Sequence, residues 1–247
     1  MNFKVNRNHR CPCDSGIKYK KCCYQSISSV DFDLSSFEED RLNQADYQDG
    51  REILCDVLLE ELQNFYYQLE EFKNNSNELP ANFFTRLHEF NEKHPKHPIP
   101  LNYLYNGYIL IGDHIKANSY MLEMYQKFPL YFFGRFIYAS ICLYNKEHEK
   151  AFEILGKYDS LKDLYPERKK FHVSEGYTFH EFLVKYHAKM KNRVLAERHY
   201  NCLVQLASSY PTHDSTQIIK TAREQIEWIT FAAAFQVIQN MFTEKQV

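Results

Sequence analysis

Apolar residues recur at helical spacing along most of the chain beyond residue 48. From Asp49 to Phe72 they stand three, four or seven positions apart, which is the spacing that gives a helix one apolar face. The pattern therefore predicts one long helix over this stretch. A second helix is predicted from Phe83 to Phe90, ending before the sequence PKHPIP at 95–100, because proline interrupts a helix. The apolar face of the first helix would comprise Ile53, Val57, Leu58, Leu62, Phe65, Leu69 and Phe72.

A period of 34 residues runs through the middle of the chain. Pro95 and Pro129 stand 34 residues apart and close the similar sequences EKHP and QKFP, and Ala117 and Ala151 repeat that interval. Thirty-four residues is the length of a tetratricopeptide repeat, a pair of antiparallel helices. On that pattern the first unit would use Leu101, Leu104, Tyr108, Ala117, Met121, Met124 and Pro129.

Further units follow the same pattern with decreasing clarity. The chain resembles tetratricopeptide-like helix pairs over about 100–210, although the signature Trp and Gly of that repeat are missing. A generic antiparallel helical bundle is the alternative, and both architectures are all-α. The second unit would use Tyr138, Ala139, Cys142, Ala151, Leu155 and Tyr158. A weaker third unit, after an insertion around 161–170, would use Leu183, Val184, His187, Ala196, Tyr200 and Leu203.

Composition supports a folded helical protein. Aromatic residues make up 16% of the 247 residues, whereas Gly and Pro are scarce at seven and eight. This balance disfavours disorder and turn-rich β folds. A final helix is predicted from Thr216 to Phe242, and its most apolar part, Trp228 to Phe242, is too short to cross a membrane. We expect that part to be buried, where the helix caps the stack or pairs with a second copy.

Charge is segregated along the chain. Residues 1–25 carry six Lys or Arg against one acid, whereas residues 31–61 carry eleven acids against Arg41 and Arg51. We therefore predict three segments: a basic module at 1–25, an acidic linker at 26–48 and a helical domain at 49–247. The first twenty residues contain no apolar run typical of a signal peptide, which predicts a cytoplasmic location.

Four of the seven cysteines lie within RCPCDSGIKYKKCC, Arg10 to Cys23. A metal site, a disulfide cluster and a reactive thiol centre are all conceivable for such a stretch. In a reducing cytosol thiols persist, and a disulfide between the neighbours Cys22 and Cys23 would be strained. Zinc takes four ligands at tetrahedral corners, and closely spaced cysteines supply them. The predicted zinc ligands are Cys11, Cys13, Cys22 and Cys23, with an iron-sulfur centre or redox thiols as alternatives.

The sequence RNHRCPCDSGIKYKKCC resembles the SEC-C motif, a zinc-binding module first known from the C-terminal tail of the bacterial translocase motor SecA. The resemblance covers only residues 7 to 23. Asp14 and Ile17 depart from the pattern, which usually has Gly and Lys there. Twelve positions agree with it: Arg7, Asn8, Cys11, Pro12, Cys13, Ser15, Gly16, Lys18, Tyr19, Lys20, Cys22 and Cys23.

The resemblance implies a structural metal and a recognition surface. Four thiolates close the zinc shell and leave no position for a catalytic water. In SecA the module contacts an export chaperone and the ribosome, which implies a protein partner here. The expected function is a non-enzymatic zinc-binding adaptor, and the alternative is RNA or ribosome binding through the basic module. The residues expected to contact the partner are Arg7, Lys18, Tyr19, Lys20 and Lys21.

No catalytic motif is present in the sequence. Gly107 and Gly112 have the outer spacing of a phosphate-binding loop, but Asp113 and His114 replace its Lys and Ser or Thr. An enzyme whose site is assembled from scattered His, Glu and Tyr residues remains a third alternative.

Histidines and aromatics offer weaker signals. His94 and His97 flank the proline-rich sequence and are expected on an exposed loop. His180 and His187, seven residues apart, are expected on one face of one helix, where a metal would need ligands from elsewhere. The many Tyr and Phe residues between 103 and 144 are expected mainly in the core, with a peptide-binding groove as the alternative.

Overall fold

The computed structural model describes residues 8, 18, 21, 32–40, 42–75 and 78–243, with side chains as far as residue 229. These residues are mostly helical, which confirms the predicted all-α class. The helices are α1 (Asp56–Asn75), α2 (Phe83–Lys93), α3 (Ile99–Leu110), α4 (His114–Lys127), α5 (Phe132–Tyr144), α6 (His148–Ala151), α7 (Leu161–Leu164), α8 (Val173–Lys189), α9 (Arg193–Ser209) and α10 (Ser215–Thr243). Two short strands, β1 (Phe37–Glu38) and β2 (Phe171–His172), pair in parallel.

The described residues form two compact units. The central unit comprises Leu42–Lys169, and the split unit joins the described part of Met1–Arg41 to that of Lys170–Val247. The chain therefore passes from the split unit through the central unit and back again. The sequence-based division at 25 and 48 stays a prediction.

The central unit contains α1 to α7. The apolar faces of α1, α2 and α3 meet in one core, where Phe65, Phe83, Leu87 and Leu104 have no exposed surface. Phe65 and Phe83 pack edge to face, with ring centroids 5.6 Å apart. Helix α2 begins at Phe83, as predicted, and continues to Lys93.

Helix α1 begins seven residues later than the apolar pattern predicts, at Asp56 in place of Asp49. The side-chain amide of Gln44 donates to the carbonyl of Leu54 at 2.8 Å and accepts from its N–H at 3.0 Å. Both backbone groups of Leu54 are therefore engaged outside a helix. The predicted burial of Ile53 and Val57 is also wrong, because these residues are 63% and 73% exposed.

The same kind of turn connects the two helices in each of three helix pairs among the described residues. A residue with positive φ follows the first helix of each pair, and the N–H of the next residue donates to a carbonyl five positions earlier. This arrangement satisfies carbonyls that a helix end leaves free. The positive-φ residues are Gly112, Lys146 and Lys191, and the bonds run from Asp113 to Tyr108 (2.9 Å), from Glu147 to Cys142 (2.8 Å) and from Asn192 to His187 (2.8 Å).

These turns agree with the predicted repeat. Asp113 and Glu147 occupy the same turn position 34 residues apart. The small residues predicted between paired helices are fully buried: Ala117, Ala139, Ala151 and Ala196. A π-helical turn at Phe152–Gly156 extends the short second helix of the middle pair. Assignment to the tetratricopeptide class itself stays a prediction.

In the split unit, α8, α9 and α10 pack on one another. Phe179, Leu183, Leu203 and Ile226 have no exposed surface and form the centre of that packing. Helix α10 has nearly the predicted bounds, but Trp228 is 66% exposed, so the expected burial of this helix is wrong at that residue. Within the residues that the structure describes, no helix has the length and apolar character needed to cross a membrane.

Candidate metal centre and the docked neck

The four predicted zinc ligands, Cys11, Cys13, Cys22 and Cys23, lie outside the described residues and stay predictions. Of the predicted contact residues, only Lys18 and Lys21 are described, whereas Arg7, Tyr19 and Lys20 are not. Both described lysines are exposed. The N–H of Lys21 donates to the carbonyl of Lys18 at 2.8 Å, so a tight backbone turn immediately precedes Cys22. Two cationic side chains are therefore exposed close in the sequence to the predicted zinc ligands.

The segment that follows the cysteines, Phe32–Asp40, is docked on the split unit, and we call it the neck. Phe37 is its anchor: the side chain is 6% exposed, and the residue pairs with Phe171 in the parallel ladder. Its ring also lies directly over Gly176 of α8. A β carbon at position 176 would stand 2.5 Å from the Phe37 ring, so α8 requires glycine at this contact.

Polar side chains of the helical body bind the backbone of the neck. The Tyr210 hydroxyl lies 3.3 Å from the carbonyl oxygen of Leu34 and 3.1 Å from that of Phe37, so the two carbonyls share its one donated proton. His172 Nε2 donates to the carbonyl of Glu39 at 3.0 Å. Nδ1 of the same ring accepts from the N–H of Ser174, which fixes the tautomer and caps α8. The neck is thus held by side chains of the residue that precedes α8 and the residue that follows α9.

One acidic residue of the neck forms an ion pair with the body. Lys170 Nζ lies 2.8 Å from a carboxylate oxygen of Glu38 and also donates to the carbonyl of Ser35 at 3.1 Å. The hydrogen bond to Glu38 raises the pKa of Lys170. Both side chains of the pair are more than 40% exposed, so solvent screens the interaction. The pair therefore orients the neck more than it stabilises it.

A column of three buried histidines lies behind the neck. His180 of α8 and His199 of α9 form a ring-to-ring hydrogen bond with their Nδ1 atoms 3.1 Å apart. The ring of His187 stacks on His199 with a 5° interplanar angle. Phe32 of the neck packs edge-on against His180, with centroids 5.1 Å apart. The predicted pair His180 and His187 therefore lies in the core, and sequence reasoning missed His199, their shared neighbour.

Burial keeps the His180 and His199 rings neutral near pH 7. Desolvation lowers the pKa of His180 to about 3, with a smaller contribution from the nearby Arg198. Desolvation also lowers the pKa of His199 well below its ordinary value, assisted by His180, His187 and Arg198. Nε2 of His199 is buried with no hydrogen-bond partner among the described residues. Within the described part of the chain, no group of three or more His, Cys, Asp or Glu side chains is arranged so that it could hold a metal ion.

The prediction for the loop histidines is wrong, whereas the prediction for the aromatic residues between 103 and 144 is confirmed in part. The expectation that His94 and His97 are exposed is wrong, because His97 is 1% exposed and His94 Nδ1 lies 2.8 Å from a Glu52 carboxylate oxygen. The interpretation of the aromatics as core is confirmed for Tyr108 and Tyr131, which are buried. It fails for Tyr144, which is 84% exposed.

The three described cysteines are free thiols. Each of them stands within an apolar helical pattern of the sequence, which predicts a buried core cysteine. Cys142 and Cys202 are buried, as this pattern predicts, whereas Cys55 is exposed, so the prediction is wrong for Cys55. Burial raises the pKa of Cys142, and it raises the pKa of Cys202 to about 12. Both buried cysteines therefore stay protonated near neutral pH and are poor metal ligands.

Comparison with known proteins identifies the N-terminal segment. No curated protein matches the chain, and no solved structure matches it. One family does match: residues 7–25 carry the SEC-C motif, the segment that contains all four clustered cysteines and the described turn from Lys18 to Lys21.

Proposed function

We propose that this protein is a non-enzymatic, zinc-binding interaction protein in which a SEC-C module is carried by a helical-repeat body and binds a protein partner in the cytoplasm. The observation that carries the proposal is the SEC-C match at residues 7–25, followed within a few residues by the docked neck. A short module attached through a docked segment leaves the body at a defined place. This suits recognition better than a freely moving tail would.

The donor set fits zinc. Four cysteines in two close pairs supply the soft thiolate ligands that Zn²⁺ binds in structural sites. Bound zinc would hold the two cysteine pairs together and so fold the module, because a segment this short has little core of its own. Cys142 and Cys202 do not compete for the metal, since both are buried and protonated.

The contact surface that we propose is basic. Lys18 and Lys21 project from the turn before Cys22, and Arg7, Tyr19 and Lys20 belong to the same motif. An acidic protein surface is the partner that this charge favours. RNA or the ribosome is the second candidate, because the same lysines and tyrosine could contact phosphates and bases.

Affinity capture with the full-length protein tests the proposal. Proteins captured from a lysate of the source organism, with and without nuclease treatment, are compared among three baits: wild type, Lys18→Glu/Lys21→Glu and the control Lys93→Glu/Lys96→Glu. The control makes the same charge change on the central unit. We expect a direct protein partner, confirmed with purified components, that only the Lys18/Lys21 variant loses. Binding that disappears with nuclease treatment would favour the RNA alternative, and equal capture by all three proteins would overturn the proposed surface.

A further inference from the structure

A groove of about 500 Å³ opens in the split unit, away from the neck contacts described above. One wall is the C-terminal end of α8 and the turn after it, with Ala188, Lys189 and Lys191. The other wall is α10, with Glu224 and Trp228. Its volume is within the range of pockets that bind small ligands or peptide side chains.

Trp228 gives the groove its apolar wall. It is the single tryptophan of the chain, and 66% of its surface is exposed. Aromatic side chains of this size normally bury most of their area, and tryptophan is enriched at the centres of binding interfaces. Ile229 lines the groove beside it. The groove thus offers a bulky apolar side chain a flat surface on which to pack.

The charged rim is predominantly cationic. Lys185, Arg193 and Arg223 in the same unit each pair with a glutamate four residues away in their helices. Lys189 and Lys191 have no such ion pair within the described residues, and both are exposed. The dipole of α8 favours cations at this helix end but does not account for an exposed tryptophan opposite them. A carboxylate placed between the two lysines would complete the charge pattern.

We infer that this groove binds a peptide segment of a partner protein, with a bulky apolar side chain packed on Trp228 and a neighbouring carboxylate bound by Lys189 and Lys191. The inference deepens the proposed function by adding, on the helical body, a second recognition element that is cationic and apolar. It rests on that function only in assuming that the partner is a protein. Glu224 on the opposite wall would repel a carboxylate. The acidic residues of the peptide should therefore lie on one side of its apolar residue only.

Because Trp228 is the single tryptophan of the chain, its fluorescence reports directly on binding in the groove. Emission of the full-length protein is titrated with the acetylated hexapeptides EEELFG and KKKLFG, with EEEGGG lacking the apolar pair, and with ATP. We expect EEELFG alone to change the emission, and the Lys189→Glu/Lys191→Glu variant to bind it at least about tenfold more weakly. Lys93→Glu/Lys96→Glu, on the other unit, should bind like wild type.

A second measurement reports on the tryptophan itself. Anisotropy of fluorescein-labelled EEELFG is followed with Trp228→Ala, for which circular dichroism verifies retained helical content, and we expect binding at least about tenfold weaker. Equal binding of KKKLFG, binding of ATP alone, or no response to any probe would overturn the inference. None of these outcomes affects the Lys18/Lys21 surface, whose capture experiment uses different variants.

Discussion

The ring of Phe37 lies against Gly176 so closely that a β carbon at position 176 would stand 2.5 Å from it. This contact joins the segment after the SEC-C motif to the first turn of α8, although 139 positions separate the two residues in the chain. Because Phe37 is buried and paired with Phe171, the ring has little freedom to move away. The contact therefore decides whether the neck stays docked.

The substitution Gly176→Ala tests this contact. In an open helix the change would stabilise the protein by about 0.5–1 kcal/mol, because alanine favours helix. Here we expect a net loss of stability and faster hydrogen exchange in the neck, since overpacking costs about 1–3 kcal/mol. Urea unfolding and hydrogen-deuterium exchange measure the two effects.

Two controls accompany that substitution. Gly134→Ala places its β carbon 3.3 Å from the flexible side chain of Met124 and should be tolerated far better. Combining Gly176→Ala with Phe37→Ala removes the obstructing ring, so the alanine should no longer destabilise the protein in that background. The same loss with and without Phe37 would contradict the proposed contact.

Tyr210 should matter more to the neck than Lys170. The change Tyr210→Phe removes the hydroxyl that donates to two neck carbonyls and should cost about 1 kcal/mol. The change Lys170→Met removes a solvent-screened ion pair and should leave the unfolding midpoint almost unchanged. Urea unfolding of the two variants side by side gives the comparison. The reverse order of the two effects would mean that charge, and not the tyrosine, holds the neck.

Stability should fall as the pH falls below about 6.5. In the unfolded chain His180 titrates near its ordinary value, but in the folded protein its pKa is lowered to about 3. Between these values only the unfolded state binds the proton, so acid favours unfolding, and His199 acts in the same direction. Together the two residues contribute a slope of up to about 2.7 kcal/mol per pH unit.

The pH dependence is measured by urea unfolding from pH 7 to pH 4.5. The double variant His180→Phe/His199→Phe should show a clearly smaller slope than wild type. His213→Gln changes a histidine whose side chain is 97% exposed, so its slope should equal that of wild type. An unchanged slope in the double variant would rule out the buried histidine column as the source of acid sensitivity.

Thiol reactivity should separate the described cysteines. Cys55 is exposed and should react with iodoacetamide in the native protein, whereas Cys142 and Cys202 should react only after unfolding. Their burial limits access, and the raised pKa values suppress the reactive thiolate. Peptide mass spectrometry after brief labelling measures each site. Early labelling of Cys202 would show that the α8 and α9 pair opens readily.

Helical periodicity identified most of the helices but not the residues that position the neck. Leu62, Phe65 and Leu69 are buried as their spacing predicts, because a helix face depends on local sequence. The contact of Phe37 with Gly176 joins distant segments, and no local pattern encodes it. The prediction that α1 begins at Asp49 is wrong for a similar reason, because the side chain of Gln44, ten residues away, binds the backbone of Leu54.

In the candidate site, too, the features formed by one short segment could be predicted from the sequence, whereas those formed by distant segments could not. The cysteine spacing and the residues around it identified the SEC-C motif. All ligands of such a site lie in one short segment, so their spacing can be recognised from the sequence alone. The histidine column could not be predicted, since His180 and His199 meet only when α8 and α9 pack. The exposure of Trp228 likewise depends on which face of α10 packs against the body.

Native mass spectrometry of the full-length protein, purified without added metal, tests the central claim most directly. We predict one zinc ion per chain in wild type, none in Cys11→Ser/Cys22→Ser, and one in Cys142→Ala/Cys202→Ala, whose thiols are not ligands. A wild-type protein that carries iron, or that binds no zinc even when zinc is supplied during refolding, would contradict the proposed zinc-binding module.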